Sequence, residues 1–219
     1  MTGVELTRKD FGTLLARTSQ EISHEWLNDE IVNAFMSAIV ENRKAHDKYD
    51  KESGKAPALA AFQTGWYNTW KSRGVSGIAR WSRRMGIKGN KLLGAEHIFF
   101  PINSGVHWTL LLISPKSRTI NHLDSMGSKS GEMLQFAREW LRMELGDAYV
   151  ASEWTVAKGS SSRQDNSDDC GVFACFNALA VAEKRSFEDV TAEQMQDARK
   201  MLAALLLDPL AWREFGLTH

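Results

Sequence analysis

Cysteine is scarce in this chain: there are two in 219 residues, Cys170 and Cys175. They stand five apart, too close for a loop-closing disulfide and too few for a structural zinc site, so they read as free thiols of a reducing compartment. Proline is rare, with four, and glycine is ordinary at 16, which excludes collagenous and Pro-rich disordered chains. Net charge is missing altogether, because 27 Lys and Arg stand against 27 Asp and Glu. That balance excludes global attraction to polyanions, and neither nucleic acid nor a membrane is expected as a partner. Apolar runs of about 18 residues are absent too. The start, Met1-Thr2-Gly3-Val4-Glu5-Leu6, has no apolar stretch behind a basic opening, so no secretory leader is expected. What is present is 43% hydrophobic and 25% charged residues, enough for a core without staples. One domain over residues 1–219 is expected, monomeric and intracellular, in the nucleus, the cytoplasm or both.

The apolar residues Ile31, Phe35, Met36 and Ile39 recur at helical spacing behind Asn28 and Asp29, either of which can cap, and predict a helix from about Asp29 to about Tyr49. Pro57 suits the first turn of a second helix carrying Phe62, Trp66 and Trp70. Residues from Lys71 to Gly94 are basic and glycine-punctuated and read as a solvated helical face with connecting turns. Three runs then read as strands: from His97 to Ile102, from Trp108 to Ile113, and from Thr119 to Leu123 after a Ser114-Pro115-Lys116-Ser117 turn. Their continuous apolar character predicts a sheet covered on both faces. A helix at about Gly131 to Leu145, a strand at Tyr149 to Val156, a polar loop from Lys158 to Asp169, and helices from Cys170 to about Ala182 and from about Thr191 to Leu207 complete an α+β fold. Its central sheet is expected to be mostly antiparallel and packed by helices.

Cys170 stands where the polar loop meets the apolar helix. With Asp169 as the N-cap, the thiol falls in the first turn, where unpaired N–H groups and the helix dipole favour a thiolate and the backbone N–H is a ready oxyanion donor. A cysteine in such a place is otherwise a small buried hydrophobe, which suits Cys175. A thiolate nucleophile needs an imidazole oriented by a carboxylate or amide. With the hairpin turn centred between Pro115 and Lys116, His107 falls directly opposite Asp124, on the same face at the open end. His122 has no acid opposite; His24, His46 and His97 show no partner, and His219 is terminal. Gln164, six residues before Cys170, is placed to offer a side-chain amide as a second oxyanion donor or to remain a solvated loop residue.

The strings Gln164-Asp165-Asn166-Ser167-Asp168-Asp169-Cys170-Gly171, Gly105-Val106-His107-Trp108-Thr109-Leu110, Leu123-Asp124-Ser125-Met126-Gly127 and Trp26-Leu27-Asn28-Asp29-Glu30-Ile31-Val32-Asn33 together resemble the ubiquitin-like-protein-specific cysteine proteases, the SUMO/sentrin protease family. The resemblance runs from about Glu25 to about Ala180. It implies the papain-like, adenain-like fold and no cofactor or metal. Cys170 is then nucleophile, His107 general base and later acid, Asp124 the orienting carboxylate, and Gln164 the second oxyanion donor. It further implies that Trp26 and Trp108 clamp the Gly-Gly tail of a ubiquitin-like modifier, and that Asp29 meets a basic side chain on that partner. The activity implied is cleavage after that tail, in precursors or conjugates, with SUMO the first modifier and a Nedd-type protein or ubiquitin next. Three departures bear on modifier choice: Arg163 stands where the family often has a second Gln, the stretch Gly159-Ser160-Ser161-Ser162 lacks a frequent Pro, and the segment from Tyr49 to Gly94 with Trp66, Trp70 and Trp81 does not match. Two rival readings use the same residues: an acetyltransferase of the related effector clan, with the basic stretch from Arg80 to Lys91 holding a coenzyme or inositol phosphate, and a non-catalytic modifier-binding module.

Overall fold

The computed structural model describes residues 5–16, 23–157, 159 and 161–217; the opening Met1 to Val4, Lys158 and Ser160 of the polar loop, and His219 lie outside the described residues. Along the chain run α1 (Arg8–Phe11), α2 (Asp29–His46), β1 (Leu59–Ala61), α3 (Trp66–Arg73), α4 (Trp81–Arg84), β2 (His97–Asn103), β3 (Trp108–Ser114), β4 (Thr119–Leu123), α5 (Gly131–Leu145), β5 (Thr155–Val156), α6 (Cys170–Ala182), α7 (Met195–Leu207) and α8 (Ala211–Glu214). The strands form one sheet in the order β1-β2-β3-β4-β5. The long central pairings are antiparallel, and the short edge strands β1 and β5 join parallel.

Both faces of the sheet are covered, as the unbroken apolar runs require. Leu59, Phe99, Leu110, Leu112 and Leu123 face a core shared with α2, α6 and α7. Their neighbours Ile98, Phe100, Ile102, Leu111 and Ile113 face a second core closed by α5 and the region around α3 and α4. Period-two alternation along each strand sorts the side chains between the two cores. The basic stretch before β2 is therefore more than a solvated face. Ile78, Ile87 and Leu92 are fully buried, and Trp66 packs on Phe136 at 4.4 Å while its indole donates to the Pro101 carbonyl at 2.7 Å. Among the described residues no helix is long and apolar enough to cross a membrane.

Four expectations need correction. The helix at Pro57 does not form there. Leu59–Ala61 is a strand, and Phe62 still bonds Phe99 through its backbone at 2.8 Å, so helix begins only at Trp66. Phe62, Trp66 and Trp70 have helical spacing, yet the free edge of β2, far along the chain, captures the segment before them; tertiary pairing overrides the local pattern. The strand expected from Tyr149 shrinks to Thr155–Val156. Val150 and Val156 are exposed, and two short 3-10 turns instead swing Trp154 into the core. The helix expected to reach Tyr49 ends at His46, with Lys48 in the left-handed region at φ 49°. Finally, the β3–β4 hairpin closes at Ser114↔Thr119 around a four-residue loop, whose Arg118 adopts φ 51° and donates its N–H to the Pro115 carbonyl at 3.1 Å. The register is displaced by two from the expected one, and it extrapolates to Thr109, not His107, opposite Asp124. A displacement of two preserves the face of every side chain, so His107 and Asp124 remain on one side as diagonal neighbours.

Candidate active site

His107 precedes β3 and Asp124 follows β4, so the sheet's central hairpin holds both at its open end. Their bond, His107 Nε2 to Asp124 Oδ1, is 2.7 Å long. Asp124 is buried and accepts three further bonds from its own loop: from the Met126 N–H at 2.8 Å, the Ser128 N–H at 2.9 Å, and the Ser128 hydroxyl. Burial opposes its charge, but the bonds from His107, Ser128 and Met126 outweigh that and hold the carboxyl well below the usual carboxylate range. Gly127 turns this loop at φ 68°, and the Arg163 guanidinium occupies the space that a Cβ there would need.

The imidazole of His107 is raised to about 9, first by the bond to Asp124 and second by the nearby Cys170 side chain. With Nε2 committed to Asp124, Nδ1 is the ring nitrogen left for the thiol; it is buried and makes no hydrogen bond, to sulfur or otherwise, among the described residues. Cys170 opens α6 and is 2% exposed, with the Trp108 N–H 3.4 Å from its sulfur. Cys175 is fully buried deeper in the helix, where burial pushes its thiol up and out of reach of ionisation.

Asp169 occupies the N-cap position, but its side chain does not cap. It turns instead to Arg199 of α7, whose Nε stands 2.9 Å away. Arg199 is 1% exposed and also donates to the carbonyls of Asp168 at 3.1 Å, Glu25 at 2.9 Å, and Thr13 and Leu14 at 3.3 Å each. One guanidinium thus ties the segment before Trp26 to the two residues before Cys170. No local pattern marks this residue: it lies 30 positions beyond Asp169 and reads as one polar member of an amphipathic helix.

Trp26 is 45% exposed beside that junction, and Asp168 accepts from His24 Nδ1 at 2.8 Å. His24, then Ser167, and to a lesser degree the Trp26 indole hold the Asp168 carboxyl below its ordinary range. His24, read without a partner in the sequence, therefore has one. Trp108 is buried, with its indole bonded to the Leu27 carbonyl at 3.0 Å and its ring edge against α6. A Cβ on Gly171 would stand 3.0 Å from Leu27 Cβ and 3.1 Å from Trp108 Cδ1. Gly171→Ala is accordingly expected to cost about 1–3 kcal/mol by overpacking, read as a lowered denaturation midpoint together with a change in tryptophan emission. An unchanged midpoint would mean that Trp108 gives way freely.

Asp29 is exposed at the start of α2 and released from capping, because the Asn28 side chain accepts from the Ile31 N–H at 3.0 Å. It meets Asn103 Nδ2 at 3.4 Å. Gln164 lies beside the Asp124 loop: its Oε1 accepts from the Ser125 hydroxyl at 2.5 Å, and its Nε2 donates to the Asn166 carbonyl at 2.6 Å. The amide is thus engaged within its own loop. Cys170, His107, Asp124, Trp108 and Gln164 converge where the hairpin end meets the start of α6, Trp26 stands on the rim above Asp168, and Asp29 lies along the same edge.

Residues 25–210 match the profile of the Ulp1 protease family, C-terminal catalytic domain. The chain is 30% identical over 206 residues to human sentrin-specific protease 2, a match covering 91% of this chain and 31% of that protein. It thus spans about a third of the length of the curated relatives it matches. Among solved structures, the Ulp1-like SUMO protease catalytic domain of Chaetomium thermophilum superimposes with a TM-score of 0.76 at 30% identity, covering 84% of this chain and 73% of that one. The C-terminal Ulp1 protease domain solved in complex with Smt3, the yeast ortholog of SUMO, also gives 0.76, at 25% identity over 96% of this chain and 86% of its own.

Proposed function

Because the chain belongs to the Ulp1 protease family, we propose that residues 1–219 form one catalytic domain, a thiol protease that cleaves after the C-terminal Gly-Gly of a ubiquitin-like modifier, with SUMO the first choice. The observation that carries this is the 2.7 Å His107–Asp124 bond, with the other imidazole nitrogen left for a thiol at a helix start. In this reading the Cys170 sulfur, having passed its proton to His107, attacks the glycine carbonyl. The tetrahedral oxyanion is met by the Cys170 N–H and by the Gln164 amide once it turns from Asn166. His107 then protonates the departing lysine amine or peptide nitrogen, leaving a thioester. Water, giving a proton to His107, attacks the thioester; the modifier leaves with a free carboxylate and the thiol is restored.

Trp26 and Trp108 line the path of the tail, which flat rings open to glycine and close to larger side chains, and Asp29 is free to meet a basic group on the modifier. The partners are the modifier and its conjugates, met by a monomer inside the cell, in the nucleus or the cytoplasm, where free thiols persist. A panel of SUMO, Nedd-type and ubiquitin propargylamide probes tests the reading. A covalent adduct at Cys170, fastest with SUMO, is expected; no adduct with any of the three overturns it.

Asp168 has a positioning role in the same reading, since it holds Trp26 and His24 together on the rim. Asp168→Ala is expected to raise KM about fivefold, the weight of one net hydrogen bond of about 1 kcal/mol, while kcat changes little. Steady-state cleavage of a modifier–fluorophore fusion measures this, and a fall in kcat alone would place the residue in the chemistry instead.

A further inference from the structure

The sheet ends on β1, which pairs with β2 on one side only. The Ala58 carbonyl accepts the His97 N–H at 3.2 Å and the Phe62 N–H donates to Phe99 at 2.8 Å, so residues 58, 60 and 62 direct their backbone groups inward. By the alternation of a parallel ladder, Leu59 and Ala61 direct theirs outward, where they have no partner among the described residues. Unpaired strand edges are templates for another strand, and proteins ordinarily blunt or cover them. This one instead lies in the floor of a hollow of about 420 Å³ with two walls, one from α2 and one from α4.

The walls suit alternate side chains of an extended segment. Leu59 and Ala61 belong with the α2 side of the sheet, Ala60 and Phe62 with the opposite side, so a strand laid beside them would point its residues in turn at Val40 on α2 and at Trp81, Met85 and Arg84 on the other wall. Charge then selects the occupant. On the α2 wall, Lys44 is already matched by Glu41 at 2.8 Å. On the α4 wall, Arg84 is exposed and has no acidic partner among the described residues. A carboxylate whose stem crosses Trp81 would supply one. A second copy of this chain fits less well, because its own edge strand is equally recessed between two walls.

We infer that this slot binds an extended acidic peptide segment of a partner protein, added as a sixth strand beside β1, with aliphatic residues toward α2 and carboxylates toward Arg84. The slot ends at Gln63, next to Thr64, which bonds Asn33 and shares a second hollow with Asp29. A segment held here would therefore lead toward the edge that carries Asp29. The inference rests on the sheet edge and its walls, and it holds or fails independently of the chemistry at Cys170.

Titration of the full chain with an acetylated, amidated heptapeptide of alternating valine and glutamate, followed by calorimetry, tests this. Saturable binding is expected, with loss of binding when alternate peptide nitrogens are methylated. Arg84→Glu should weaken it at least about tenfold, the weight of one charge-assisted hydrogen bond, and should improve binding of the valine–lysine counterpart. Ala61→Pro removes only the outward N–H of the edge and should weaken binding while leaving the β2 pairing intact; thermal melts identify a variant that has lost its fold, and Arg84→Glu then carries the test. Absence of binding, equal binding of the methylated peptide, or indifference to Arg84→Glu overturns the proposal. So does a concentration-dependent dimer that competes with the peptide, which would assign the slot to a second copy.

Discussion

Asp124→Asn is expected to lower kcat by a factor on the order of 10³–10⁴, as loss of the orienting carboxylate does in other nucleophile–histidine sites. The geometry says why an isosteric amide fails. Both oxygens of Asp124 accept: Oδ1 from His107 and Met126, Oδ2 from the Ser128 N–H and hydroxyl. An amide has one oxygen, so its NH₂ must face donors on one side. If it faces His107, the imidazole must accept at Nε2 and carry its proton on Nδ1, the nitrogen that has to receive one from Cys170. If it faces Ser128, the loop is pushed open. Either arrangement spoils the base.

The same variant should change the pH profile. In the wild type the imidazole, raised to about 9, stays protonated up to that pH and can hand a proton to an amine leaving group, so cleavage should fall as pH rises through about 9. The largest contribution to that shift is the bond to Asp124. Without it the basic limb should move down toward the ordinary histidine range. Measuring kcat/KM against pH for both proteins checks this, and an unmoved limb would mean that Asp124 does not set the imidazole's proton affinity.

Arg199→Met should be the most destabilising single change outside the apolar cores, costing about 3–5 kcal/mol, the usual cost of removing one partner from a buried ion pair. Asp169, 1% exposed, would be left buried without its guanidinium partner, and the Glu25, Asp168, Thr13 and Leu14 carbonyls would lose a donor. Arg199→Lys should recover only part, because an ammonium cannot reach several of these oxygens from one plane. Removing both charges, Arg199→Met with Asp169→Asn, should be milder than Arg199→Met alone. Urea denaturation gives the free energies. A loss below about 1 kcal/mol in the single variant would show that water replaces the guanidinium, and that the junction before Cys170 is held by other contacts.

Much of the site was legible because its signals are local or periodic. A polar loop running into an apolar helix places Cys170 at a helix start whatever lies around it. Two strands joined by a short turn put His107 and Asp124 on one face, and the two-residue difference between the expected and observed registers left that conclusion standing, because side-chain direction repeats every two residues. Other features had no such protection. The stretch from Pro57 to Phe62 is a short, wholly apolar run that suits a helix or a buried strand alike, and the free edge of β2 chose between them. Gln164 could be set near the site by its distance from Cys170, but its rotamer depends on Ser125, 39 residues away in the chain.

What the sequence determined by itself is the order and type of most elements, the two-faced sheet, and the place of Cys170 at the start of a helix, all of which follow from composition and periodicity within short stretches of chain. Only the tertiary structure decided the hairpin register, set by a four-residue loop with Arg118 in the left-handed region, and the partner of Asp169, found on α7. It alone also decided the open edge of β1 between two walls. Each of these is a contact between segments distant in the chain, and the free energy that selects it comes from burial and pairing that no local pattern encodes.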